Sequence, residues 1–201
     1  MFCVAALPDG VHFVVGLYNS EVRLYHVDGT LVHTFKGHTN TMRAVAVTPD
    51  GQHIISGGGL YDNLVKVWSV ASKRLLSTCA KRTGTVRAVV VTPDGQRILS
   101  GGGAFDKTVR VWLLDGTLEN TFQLHRHEVN AVVALPDNQH ALSGSWDSTV
   151  KLFNVNDGAV LRTFKHHTAM VMSLALMPDG LRFVSGSDDN TACIAYHGLS
   201  D

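Results

Sequence analysis

The 201-residue sequence predicts an all-β protein built of repeated antiparallel sheets, and three observations carry that prediction. A Pro-Asp-Gly turn recurs at Pro8-Asp9-Gly10, Pro49-Asp50-Gly51, Pro93-Asp94-Gly95 and Pro178-Asp179-Gly180, with Pro136-Asp137-Asn138 as a fifth copy. The turns start 41, 44, 43 and 42 residues apart, and self-similarity at such a period marks a repeat architecture. The runs between the turns are short, β-branched and bounded by turn residues, and none has the length or 3.6-residue period of a helix.

Within each repeat the elements follow in a constant order. A first strand precedes the Pro-Asp turn, as in Ala44–Thr48, Ala88–Thr92 and Ala131–Leu135. A second follows it and ends among small residues, as in Ile54–Gly57 and Ile98–Gly101. The third alternates and ends on an aromatic: Val65–Trp68, Val109–Trp112 and Val150–Phe153. Asp-Gly turns at Asp28-Gly29, Asp115-Gly116 and Asp157-Gly158 then lead into a short fourth strand such as Leu31–Phe35. Four strands in sequence make a meander. One such sheet cannot bury both faces, whereas five stacked radially can, which is the propeller solution. The expected blades span about 1–36, 40–79, 84–123, 127–165 and 169–201 of a single repeat domain. The last stops where its fourth strand should begin, at 197–201. Nineteen strands are therefore expected, as an open arc or a strained five-bladed ring with a bare edge, completed by further repeats or a second chain.

Composition narrows the function classes. Lys+Arg and Asp+Glu are 17 each, the net charge is zero and charged residues make up only 17%, below the roughly 25% of an average domain. Binding to nucleic acid or to anionic membranes needs an excess of Lys and Arg, so neither is expected. The longest apolar run, Met1 to Leu7, is far short of the roughly 20 residues of a spanning helix, and no secretory signal is visible. Three scattered cysteines, Cys3, Cys79 and Cys193, suit reduced thiols in the cytoplasm, or in the nucleus, better than a disulfide frame.

Gly37-His38, Ser56, Asp62 and Trp68 of the second repeat, with their partial copies elsewhere, resemble the WD40 repeat family over essentially the whole chain. The resemblance implies a WD40-type β-propeller in which His bridges Ser and Asp, Ser reaches the Trp indole N–H, and Asp closes its turn. Such buried polar groups all need partners. The third repeat carries Ser100, Asp106 and Trp112 with Arg82 at the His position. The fourth has His125, Ser143 and Asp147 with Phe153 for Trp. The fifth has His167, Ser185 and Asp189 with Ala195 for Trp and Tyr196 beside it. The first keeps only Asn19, Val15 and Tyr25 at the corresponding positions. The terminal Asp of the family pattern is replaced by Ser69, Leu113 and Asn154.

The same resemblance places the residue before each turn aspartate on the face that carries the loops entering each blade: Tyr18, Tyr61, Phe105, Trp146 and Asp188. Two further positions on that face fall on Thr41 and Arg43, Thr85 and Arg87, Glu128 and Asn130, and Met170 and Met172, with Phe2 in the first repeat. Aromatics and Arg are enriched in interface hot spots and Met suits adaptable surfaces. Arg43 and Arg87 are positioned to clamp a carboxylate or phosphate on a partner peptide.

Catalytic readings are weaker. The His-Ser-Asp set recurs in blade after blade, which a catalytic triad has no reason to do, and no Gly-x-Ser-x-Gly elbow is present. His125, His127, His166 and His167 invite a metal, but no cysteine or carboxylate cluster completes a ligand set. The runs Ser56–Gly59 and Ser100–Gly103 lack the Lys-Ser or Lys-Thr of a phosphate loop. They are expected instead to supply positive φ to longer turns. The sequence therefore points to a non-catalytic scaffold that binds proteins or peptides, with no cofactor. The alternative is a propeller with a small-molecule or metal site at its channel mouth, where Glu128, Asp188 and the loop histidines are the candidates.

Overall fold

The computed structural model describes residues 3–80, 84–103 and 105–199. Phe2 and Arg82, assigned places in the repeat above, lie outside the described residues. Nineteen strands and no helix form among the described residues. The first sheet holds β1 (Cys3–Ala6), β2 (His12–Gly16), β3 (Val22–His26) and β4 (Leu31–Phe35), and the second holds β5 (Met42–Val47), β6 (His53–Gly58), β7 (Val65–Ser69) and β8 (Leu75–Cys79). The third comprises β9 (Val86–Val91), β10 (Arg97–Gly102), β11 (Val109–Leu113) and β12 (Leu118–Phe122), and the fourth β13 (Val129–Ala134), β14 (His140–Ser145), β15 (Val150–Asn154) and β16 (Val160–Phe164). The fifth has three strands, β17 (Val171–Leu176), β18 (Arg182–Ser187) and β19 (Ala192–Tyr196). Every sheet is an antiparallel meander in chain order.

The Pro-Asp turns repeat in geometry as well as in sequence. Asp9 Oδ1 accepts from the Val11 and His12 amides at 2.9 and 3.0 Å, and Gly10 supplies the left-handed residue at φ 73°. In the fifth copy Asn138 takes that conformation at φ 60°, which a short polar side chain tolerates better than other non-glycine residues.

Side-chain alternation gives each blade two faces, and four hydrophobic clusters fill the four gaps between successive blades. Ile54 and Trp68 of the second blade pack against Val14, Val22, Leu24 and Phe35 of the first. Phe183 of the fifth packs against Leu142, Leu152 and Phe164 of the fourth. The innermost strands stack in order, β1 on β5, β5 on β9, β9 on β13 and β13 on β17. No comparable packing joins β17 to β1, so the propeller is an open arc and not a closed ring. The two end faces consequently leave apolar side chains in solvent, Val4 on β1 and Ile194 and Tyr196 on β19.

The glycine runs correct one expectation. None of Gly57, Gly58, Gly59, Gly101, Gly102 or Gly103 has a left-handed φ; the left-handed residues of these loops are Tyr61, Asn63, Phe105 and Lys107. The glycines serve close approach instead. A Cβ on Gly57 would lie 2.6 Å from Cγ1 of Val86 in the next blade, one on Gly101 2.8 Å from the Val129 carbonyl oxygen, and one on Gly144 2.7 Å from Val171 Cγ1. Gly186, at the same place in the fifth blade, would meet only the Ser173 hydroxyl, because among the described residues no further sheet packs on that face.

Candidate interaction face

The polar residues at the His, Ser, Asp and Trp positions are linked by hydrogen bonds buried between sheets. His38 Nδ1 lies 2.8 Å from Asp62 Oδ1, His38 Nε2 lies 2.7 Å from Ser56 Oγ, and Trp68 Nε1 donates to Ser56 Oγ at 2.7 Å. Burial by itself raises the Asp62 carboxyl, but hydrogen bonds from His38 and the Thr39 amide overcome it and hold it below its ordinary value. An ionised Asp62 accepts a hydrogen bond from Nδ1–H, so Nε2 accepts from the Ser56 hydroxyl, and that oxygen in turn accepts from the indole. The chain of donors is complete.

His125 joins Asp147 and Ser143 at 2.9 and 2.8 Å, and His167 joins Asp189 and Ser185 at 3.0 and 2.7 Å. In the third blade Trp112 Nε1 donates to Ser100 Oγ at 2.7 Å, and Arg110 lies 3.4 Å from Asp106. A further set of donors was missed in the sequence. Thr108, Thr149 and Thr191 each hydrogen-bond the aspartate two residues earlier, a recurrent Asp-x-Thr that could have flagged them. The second blade, with Leu64 at that position, recruits the Thr39 hydroxyl to Asp62 instead.

These networks hold loops in place and cannot perform nucleophilic chemistry where they stand. Ser56, Ser100 and Ser143 are completely buried and Ser185 nearly so, leaving no path from their hydroxyls to a substrate. Among the described residues no group of three or more His, Cys, Asp or Glu side chains is placed to hold a metal ion.

The loops these aspartates close lie at the same end of the sheets as the start of each innermost strand. Backbone hydrogen bonds tie them there, from Gly59 to Thr41, Gly103 to Thr85, Trp146 to Glu128 and Asp188 to Met170, at 2.7 to 3.0 Å. The candidate residues on this face divide into two groups. Tyr18, Tyr61 and Phe105 are 71%, 83% and 82% exposed, and Asp188, Arg43 and Met172 are also exposed. Thr41 and Met170 are half-buried, and Thr85 and Glu128 are buried.

Trp146 differs from the other three aromatics. It is half-buried, its indole nitrogen is enclosed without a hydrogen-bond partner, and the Arg87 guanidinium carbon sits 4.7 Å from the ring centroid. Arg87 also pairs with Glu128. The expected clamp of Arg43 and Arg87 is thus modified, because Arg87 is already held between a carboxylate and an aromatic face. A Cβ on Gly103 would lie 2.9 Å from Arg87 Nε, so this glycine makes room for the arginine. Arg43, Arg87, Asn130 and Met172, from four successive blades, line one depression of about 300 Å³. Asn130 is turned along it, donating to the Val171 carbonyl at 3.1 Å.

Comparison with known proteins follows the same period. The family model described as WD domain, G-beta repeat, matches residues 29–69, 73–112, 116–154 and 158–194, well over half of the chain. The chain belongs to the WD40 repeat family. Its WD40 relatives include the ribosome biogenesis protein WDR12 homologue of Drosophila mojavensis, 27% identical over 125 residues, covering 62% of this chain and 23% of that protein. The rice homologue of the same name is 27% identical over 159 residues, covering 73% and 31%. Human WD repeat-containing protein 18 is 32% identical over 83 residues, covering 40% and 18%. The chain thus spans less than a third of the length of these relatives.

Proposed function

We propose that this WD40 propeller is a non-catalytic scaffold that binds partner proteins through the face carrying Tyr18, Tyr61 and Phe105, with Arg43, Met172 and Asp188 beside them. The observation that carries the reading is the conformation of Tyr61 and Phe105. Both are more than four-fifths exposed, and both have φ 73°, a left-handed backbone that costs a non-glycine residue about 1–2 kcal/mol. Neither side chain is buried enough to offset that cost by packing, whereas the neighbouring glycine positions are set by close contacts. Bulky aromatics kept in a strained, solvent-facing conformation fit contact residues for a partner. Arg87 and Asn130 line the depression beside Arg43 and Met172, Trp146 and Glu128 hold Arg87 in place, and Thr41, Thr85 and Met170 are the less exposed residues of the same face. The names of two WD40 relatives carry ribosome biogenesis, and the scaffold reading gives this chain the task of holding proteins together in a larger assembly.

The double variant Tyr61→Gly with Phe105→Gly tests it. Immobilised parent and variant are exposed to the same native extract and the retained proteins quantified. The variant is expected to melt at the same or a higher temperature and to lose the proteins that the parent retains. Retention of the same set by both would overturn the reading.

A further inference from the structure

A different part of the molecule carries a charge imbalance that the repeat itself reveals. The second residue of the third strand is a cation paired across to a threonine in four blades: Arg23 with Thr34, Lys66 with Thr78, Arg110 with Thr121 and Lys151 with Thr163. In the first blade Glu21 neutralises this cation, accepting from Arg23 Nε and Nη2 at 3.0 and 2.7 Å, and lies 4.0 Å from Lys36 Nζ. In the second blade Lys66 is buried and donates to Thr78 Oγ1 at 3.4 Å. In the third Arg110 pairs with Asp106.

The fourth blade has the cations without the acid. Lys151 and Lys165 occupy the places of Arg23 and Lys36, but Thr149 stands where the first blade has Glu21. Arg126 adds a third cation, and all three line one depression of about 390 Å³ with Thr149, Thr163 and Asp147. None of the three makes an ion pair among the described residues. Asp147 keeps its negative charge, which leaves the depression a net charge of about +2, but its oxygens are turned to other donors and not to the three cations. Oδ2 accepts from His125 Nδ1 and the Arg126 amide at 2.9 and 3.1 Å, and Oδ1 from the Thr149 amide and hydroxyl at 3.1 and 2.6 Å. The Thr149 proton is committed there, leaving the Thr163 hydroxyl as the neutral donor of the cleft.

We infer that this depression on the fourth blade binds a phosphate monoester, the side-chain phosphate of a phosphorylated serine or threonine on a partner protein. Such a group carries a charge near −2 and three acceptor oxygens, matching three cations offset by one carboxylate, with the Thr163 hydroxyl beside them in a single depression. A polyanion such as RNA needs a basic track, and a chain of zero net charge with paired cations in blades one and three offers a point site instead. The source of the phosphate rests on the scaffold reading above; the phosphate site itself does not.

The test is an amide chemical-shift titration of the full chain with N-acetyl-phosphothreonine methylamide, its unphosphorylated counterpart and a uridine oligomer. The phosphorylated probe is expected to shift the Lys151 and Thr163 amides saturably, and the unphosphorylated one to leave them unmoved. Lys165→Gln, an exposed change that leaves the fold intact, should weaken binding roughly tenfold. Thr149→Glu, which installs the carboxylate of the first blade, should abolish it. Tyr61→Gly with Phe105→Gly should leave it unchanged, so failure of the aromatic face and failure of this site are read separately. No shift at these amides, equal affinity in Lys165→Gln, or tighter binding of the uridine oligomer than of phosphothreonine at the same amides would overturn the inference.

Discussion

Replacing Ser56 by alanine removes one oxygen that serves two buried groups at once. Its Oγ accepts from the Trp68 indole and donates to His38 Nε2, both at 2.7 Å, and the residue is fully buried. The substitution leaves almost no cavity, so its cost is that of two groups enclosed without partners. At about 1–3 kcal/mol for each, Ser56→Ala is expected to destabilise the protein by about 2–6 kcal/mol, a large part of a typical domain's stability. Ser143→Ala is the internal control. Phe153, opposite Ala141, takes the place that Trp68 has opposite Ile54 in the second blade, so only His125 Nε2 loses its partner, and about 1–3 kcal/mol is expected. Urea melts followed by tryptophan fluorescence give both values. Exchange of the Trp68 indole proton, read by NMR, separates opening of the second blade alone from unfolding of the whole arc. If Ser56→Ala costs no more than Ser143→Ala, or the indole proton exchanges as slowly in the variant as in the parent, the proton assignment along the chain is wrong.

Three further outcomes are expected. Gly57→Ala should cost about 1–3 kcal/mol, because its Cβ would lie 2.6 Å from Val86 Cγ1, while Gly186→Ala at the unpacked fifth blade should be close to neutral; equal melts for the two would count against inter-blade approach as the reason for these glycines. Trp146→Ala should lower stability by about 1–3 kcal/mol through the lost packing and the lost Arg87 contact, and Tyr61→Ala by no more than about 0.5 kcal/mol, as thermal melts of the pair will show. Asp62 and Asp147 are held below their ordinary value of 3.8, burial opposing and hydrogen bonds from their histidines prevailing. The stability they contribute is therefore complete above pH 3.8 and lost as pH falls through the depressed values. The stability gap between parent and Asp62→Asn should narrow below pH 3.8, and a gap constant from pH 6 to pH 2 would contradict the assignment.

Much of the architecture could be read residue by residue. The Pro-Asp turns, the alternating third strands and the period between them place nineteen strands because each is a local property: a fixed φ, an aspartate bonding two amides ahead, a period of two. His38, Ser56, Asp62 and Trp68 stand out for the same reason, since their spacing recurs. Trp146 could not be read in this way. It occupies the same position as Tyr18, Tyr61 and Phe105 yet is half-buried, because Arg87 from the preceding blade lies over it. The left-handed conformation of Tyr61 and Phe105 is equally hidden, because the glycines nearby are the residue type that adopts it at least cost.

What the residue order settled, then, is everything that operates within about forty residues of chain: strand, turn, repeat and the residue types of the His-Ser-Asp-Trp network. What required the folded arc is everything decided between blades. The glycines at Gly57, Gly101 and Gly144 are explained only by the valines of the next sheet. The pairing of Arg87 joins the third blade to Glu128 and Trp146 of the fourth. The arc stays open because β17 does not reach β1. Contacts of that kind depend on where whole sheets come to rest against one another, and side-chain packing across a sheet interface leaves no period in the sequence to read.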